Sequence, residues 1–207
     1  MMKLYYSPGA CSLAPHIVLR EAGLPHQLLK VDLRRHQLDD GADYYAVNPK
    51  GGVPAIAFDD GVVLTEGVAL LQYLGDRYAP ALLPAGATLE RARLHEILNY
   101  LSSDYAKAYT PLFYLAEGAD RAAAGRPAMA KMAYLDSLLA DGRPFILGAQ
   151  WSVADAYLFA LTRWAVDFGI GFDAVPALKA YMARSEARAA VRAALLAEGL
   201  GLQFGQG

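Results

Sequence analysis

"YYSPGACSLAPHIVLREAG", residues 5 to 23, opens on the end of an apolar run, turns at Ser-Pro-Gly, and passes through Cys11 into a helical pattern stopped by Gly23. Cys11 is the only cysteine in 207 residues. Upstream, "KLYY" predicts a strand. Downstream, "HQLLKVDL" predicts a second strand, so this segment bridges a β-α-β unit. "PAIAF" and "VVLT" read as two strands around the Asp59-Asp60-Gly61 turn, followed by a helix over "EGVALLQYLGDRYA". After a linker punctuated by Pro80, Pro84 and Gly86, apolar residues recur at helical spacing from Leu89 onward. Breaks are expected near Gly118, Gly125-Arg126-Pro127, Asp141-Gly142 and Gly169-Ile170-Gly171. The chain therefore predicts an α/β domain over 1–80 and an all-α domain over 87–207.

An apolar fraction of 55% suffices for real cores, and a formal charge of -2 without a basic block argues against a nucleic-acid surface. No apolar stretch approaches the roughly 18 residues of a membrane span. "MMKLYYSPGA" lacks a charged region followed by an apolar core, and a lone cysteine makes no internal disulfide. The expectation is a reducing cytoplasm, with no metal and no membrane.

A helix beginning near Ser12 or Leu13 sets the Cys11 thiol beside unpaired N–H groups and the positive end of the helix dipole, which favours a sulfur anion. A buried structural cysteine is the competing reading. Position 14 is alanine, so a C-x-x-C disulfide cycle is excluded. A reactive thiol at this site then belongs to Cys11 or to a bound ligand. Ser12 can donate to such a sulfur or serve as an ordinary N-cap.

In "NPKGGVPAIAF", Pro54 precedes a strand. A cis Val53-Pro54 bond would free the Val53 backbone to pair with an extended peptide, whereas a trans turn is the commoner state. Thr65, Glu66 and Gly67 open a helix whose N–H groups suit a carboxylate, with Glu66 able to receive an ammonium; a capping signal alone is the alternative. Ser152 and Asp155 in "WSVADAY" form a capping pair, with Trp151 and Ala156 as its apolar staple.

Together, "YYSPGACSLAPHIVLREAG", "DYYAVNPKGGVPAI" and "LTEGVALLQYL" resemble the glutathione-binding half of the cytosolic glutathione S-transferases, most of all the bacterial beta class. The similarity continues through "LNYL", "KAYTPLF" and "WSVADAYLFALTRWA" and covers nearly the whole chain. It implies a thioredoxin-like domain followed by an all-α domain in a homodimer, with glutathione as co-substrate. Cys11 then faces the glutathione sulfur and can form a mixed disulfide with it, with Tyr6 and Ser12 as neighbours. Val53 becomes the backbone clamp before a cis Pro54, and Glu66 and Gly67 become the γ-glutamyl site. Asn99 and Asp104 reach glutathione across the dimer interface, and Lys107 lies near the thiol.

Two positions depart from the class. Ala106 replaces a histidine, and His36 replaces a lysine that approaches the glycyl carboxylate; weaker glutathione binding and slow conjugation are the expectations. Tyr105 is offered to the site through its hydroxyl, with an exposed or packed tyrosine as the competing reading, and Tyr105, Tyr109, Phe113 and Trp164 are offered to an apolar cleft for a small electrophile. Raising the thiolate tenfold or more needs about 2.7 kcal/mol for two pH units, beyond the roughly 0.3–1 kcal/mol of a helix end, so hydrogen bonds must supply the rest. Besides conjugation, the rival activities are thiol-disulfide exchange or peroxidase chemistry at Cys11. The rival outside enzymes is a ligand-binding or partner-binding protein on the same scaffold.

Overall fold

The computed structural model describes residues 1–205. Its first part is a five-stranded sheet in the order β3-β2-β1-β4-β5: β1 (Met2–Tyr6), β2 (His26–Asp32), β3 (Gln37–Leu38), β4 (Ala55–Ala57) and β5 (Val63–Thr65). β1 and β2 run parallel, which requires a crossover, and α1 (Leu13–Glu21) supplies it. Pro15 is tolerated there because the first-turn N–H groups have no intrahelical acceptor. The remaining pairs are antiparallel. The β4–β5 hairpin closes through Gly61 at φ +84°, a conformation glycine adopts without steric cost. The two-residue β3, too short to register as a period, is absent from the sequence reading.

Alternation along the strands sorts the core. Leu4, Tyr6 and Ile56 face α1, while Tyr5, Val31 and Ala55 pack with Tyr44 on the opposite face. α2 (Gly67–Tyr78) completes the first part. α1 is buried from Leu13 through Leu19 because the sheet covers one side and the helical part the other, where it meets α7 (Val153–Asp167) and α9 (Ala189–Ala197). One continuous apolar core thus joins the sheet to the helices.

In the helical part, Thr88 caps α3 (Leu89–Tyr100) by accepting from Arg91 N–H at 3.2 Å. A π-helical turn over Leu101–Tyr105 follows, then α4 (Ala106–Ala108) and α5 (Thr110–Phe113). α6 (Arg121–Leu139) and α8 (Pro176–Glu186) complete the set. The expected break at Gly125-Arg126-Pro127 does not occur: α6 runs straight through it. Pro127 removes one interior hydrogen bond, a cost of about 3 kcal/mol. Asp120 offsets it by accepting from Ala123 N–H at 3.0 Å, as does burial of Ala128, Met132, Leu135 and Leu139 beyond the proline.

α7 is buried on all sides from Val153 to Ala165. Its start is held by Asp155, whose carboxylate accepts from Ser152 N–H, Ser152 Oγ and Ile146 N–H, each at 2.8 Å. Burial nevertheless pushes the Asp155 carboxyl up to about 6.

Candidate functional site

Cys11 ends the loop that leaves β1, and every turn of that loop is tied down. Ser12 Oγ accepts from Ser7 N–H at 3.2 Å and donates to Ser7 C=O at 3.3 Å. Ser12 is fully buried and makes no side-chain cap, so its hydroxyl fastens the loop and does not point at the thiol. Gly9, at φ +71°, is held from the far domain on both peptide groups. Its N–H donates to Glu198 Oε2 at 3.0 Å, and its C=O accepts from Trp164 Nε1 at 2.9 Å. Glu198 in turn meets His16 Nδ1 at 2.8 Å, both side chains being fully buried. Arg20 Nε donates to His16 Nε2 at 3.0 Å, which fixes the proton of a neutral His16 on Nδ1.

The Cys11 thiol donates to Val53 C=O at 3.2 Å, and the Val53-Pro54 bond is cis. The helix start was expected to favour the thiolate. Instead burial pushes the thiol up to about 11, outweighing the backbone N–H groups of Cys11 and Ser12 that pull it down, while the Glu66 charge raises it further.

The wall carrying Val53 is rigid. Gly52 C=O accepts from Tyr44 OH at 2.8 Å and Asn48 Nδ2 at 2.7 Å. His36, at φ +52°, donates from Nδ1 to Gly51 C=O at 3.1 Å and lies against Tyr45 with ring centroids 4.5 Å apart. Glu66 adopts φ +74° at the start of α2, a strained position for a residue with a side chain. Lys50 Nζ donates to Thr65 Oγ1 at 2.7 Å and pairs with Glu66 Oε1. Tyr157 of α7 lies under Gly67.

A cavity of about 440 Å³ opens over Cys11 between the Ser7–Cys11 loop, Gly52 and Val53 on one side and Phe113, Trp164, Asp167 and Phe168 on the other. Phe113 meets Trp164 and Phe168 edge-on, with centroids 5.0 and 4.9 Å apart. Tyr105 and Tyr109 do not join this wall, contrary to the sequence reading. Both are fully buried, Tyr105 OH donating to Thr162 Oγ1 at 3.0 Å and sharing a 2.9 Å hydrogen bond with Tyr109 OH. Burial raises both hydroxyls, and Tyr109 backs Trp164 and Phe168 from behind. The wider π turn advances each residue by less than the roughly 100° of an α-helix, so a wheel drawn through Leu101–Tyr105 misplaces Tyr105.

Tyr6 is buried beneath the loop, and burial, then the Glu198 and Asp39 charges, raise its hydroxyl. Asn99, Asp104 and Lys107 lie exposed on the α3–α4 surface, outside the lining of the cavity, as does half-buried Ala106. Asp104 accepts from Ser103 Oγ at 2.9 Å and from Lys131 Nζ at 3.2 Å, and these two bonds hold its carboxyl below its usual range. Lys50, Asp167, Phe168 and Glu198 are the site residues the sequence reading missed. Lys50 stood inside a quoted motif as a charge without an assignment; the others are remote in sequence. Among the described residues, no cluster of His, Cys, Asp or Glu suits a metal and no helix is long and apolar enough to cross a membrane.

Comparison with known proteins adds a second line. Residues 9–77 match the family model for the glutathione S-transferase N-terminal domain, and residues 80–184 the one for its C-terminal domain. The chain is 43% identical over 201 residues to the glutathione S-transferase GstA of Escherichia coli O157:H7, covering 96% of this chain and 100% of that one. Among solved structures, the beta-class enzyme of Sphingomonas chungbukensis superposes with a TM-score of 0.90 at 44% identity, covering 96% and 100% of the two chains. A sphingomonad glutathione S-transferase solved with glutathione does so at 0.88 and 45%, with the same coverage.

Proposed function

The chain belongs to the glutathione S-transferase family, and from that premise we propose that it binds reduced glutathione across the Cys11–Val53 cleft and conjugates it through its sulfur to small apolar or aromatic electrophiles. The observation that carries the reading is the Cys11 thiol facing a backbone carbonyl at 3.2 Å on the floor of an aromatic-walled cavity.

In this reading the peptide lies extended along residues 1–80, its cysteinyl group paired with the Val53 backbone. Glu66 takes the γ-glutamyl ammonium and the α2 start at Gly67 its carboxylate. His36 approaches the glycyl carboxylate through the ring nitrogen that Gly51 leaves open. Once the ligand occupies Val53 C=O, the glutathione thiol releases its proton to solvent, and the Cys11 S–H, with the Ser12 N–H, turns to the resulting thiolate and stabilises it. A second thiolate at Cys11 would repel that anion, so the raised Cys11 value favours conjugation over exchange or peroxidase chemistry in which Cys11 attacks. The glutathione thiolate attacks the electrophilic carbon, the new C–S bond forms, and the leaving group departs with its electron pair into the cavity opened by residues 87–207. Asn99, Asp104 and Lys107 act in this scheme from the face that a second copy covers in a cytoplasmic homodimer.

The test is a calorimetric titration of the reduced protein with glutathione, followed by conjugation to an uncharged aromatic halide. Saturable binding at one site per chain with turnover supports the reading. No heat up to millimolar ligand and no turnover would leave a binding protein on the transferase scaffold.

A further inference from the structure

We propose that Lys50 is a specificity-determining residue that binds the α-carboxylate of a zwitterionic amino-acid head group beside Glu66; the proposal rests on the glutathione reading above. The turn carrying Lys50 is fixed: Lys50 N–H donates to Asn48 Oδ1 at 3.1 Å, and Gly51 N–H to Asn48 C=O at 2.8 Å. From that anchor the side chain crosses to Thr65 Oγ1 and Glu66 Oε1, where α2 begins.

The pair is open, with side chains 53% and 69% exposed, and such pairs contribute only about 0.2–1 kcal/mol to stability. Stability therefore gives little reason for the arrangement, and little resists its rearrangement. A γ-glutamyl head brings one ammonium and one carboxylate. Glu66 satisfies the ammonium, yet its own charge repels the adjacent carboxylate, to which the α2 start at Gly67 offers backbone N–H groups but no positively charged side chain. The Lys50 ammonium, already between Thr65 and Glu66, completes an alternating set of four charges. Thr65 Oγ1 keeps the lysine in place when Glu66 turns to the ligand.

The experiment compares wild type, Lys50→Gln and Lys50→Arg by calorimetry at low salt. The probes are glutathione, an analogue lacking the α-carboxylate (4-aminobutanoyl-cysteinylglycine) and one lacking the α-amino group (glutaryl-cysteinylglycine). Lys50→Gln is expected to weaken glutathione and the glutaryl analogue by roughly threefold to tenfold, the size of one charge-assisted contact, and to leave the aminobutanoyl analogue unchanged. Lys50→Arg should restore most of the loss. Glutathione binding by Lys50→Gln that is equal or tighter would overturn the proposal, since Lys50 would then only compete for Glu66; so would an equal loss with the aminobutanoyl analogue. A wild type that binds none of the three peptides overturns the glutathione reading itself, and this assignment with it.

Discussion

The Cys11 thiol and the Val53 carbonyl, 42 residues apart, close on each other at 3.2 Å, so the loop leaving β1 and the segment before β4 meet at the sulfur. With burial pushing the thiol up to about 11, the thiolate is a far smaller share at pH 7 than the few per cent of a free cysteine. Alkylation of Cys11 by iodoacetamide, followed by intact mass, should be slow at pH 7 and accelerate about tenfold per pH unit toward pH 10. A rate already level at pH 8 would mean that the helix start outweighs burial.

Glu198→Gln keeps the shape of the side chain that holds Gly9 N–H and His16 Nδ1 but removes its charge. A buried hydrogen bond to a charged acceptor contributes about 1.5–3 kcal/mol, and the variant should lose an amount of that order in urea unfolding. Glutathione affinity should fall with it, because the Ser7–Cys11 loop loses its brace. Unchanged stability and affinity would show the loop to be held without Glu198.

Asp155 sets a pH dependence whose sign can be worked out. Its carboxyl titrates near 6 when folded and near 3.8 when unfolded, so between these values the folded state holds a proton the unfolded state lacks. Its contribution to stability therefore rises as pH falls from about 6 to about 4, by up to about 3 kcal/mol, and is constant outside that window. Measured against the non-titrating Asp155→Asn, the wild type should gain on its variant from pH 7 to pH 4. A flat difference would assign Asp155 an ordinary carboxyl.

Asp167 puts a carboxylate at the exposed rim of an otherwise aromatic wall. Asp167→Asn should raise kcat/KM for anionic electrophiles by roughly twofold to fivefold, in keeping with an exposed charge, and leave uncharged ones alone. The gain should shrink as salt is added. Equal gains for both substrate classes would point to a change in shape.

The strands, α1, α2 and the Asp59-Asp60-Gly61 hairpin were legible because their apolar periods and turn residues act locally. Pro127 misled because its cost is local while the packing that offsets it, from Ala128 to Leu139, is tertiary. Tyr105 misled because its place beside Ala106 in the resemblance says nothing of the packing that buries its hydroxyl against Thr162 and Tyr109. Of the site, the segments around Cys11, Val53 and Glu66 were readable as motifs. The Cys11 ionisation was not, since it depends on how much surrounding structure removes water from the sulfur. Glu198 was invisible because nothing near it in the chain hints at Gly9.

The grip of Trp164 and Glu198 on Gly9, across 155 and 189 residues, also sets an order of events during synthesis. At the usual pace of translation, Glu198 follows Gly9 by on the order of ten to forty seconds. Until both have been made, the segment bearing the thiol lacks at least one of its two long-range braces and keeps only the local bonds between Ser7 and Ser12. Cys11 therefore gains the Phe113, Trp164 and Phe168 side of its surroundings only as the helical part folds onto the sheet.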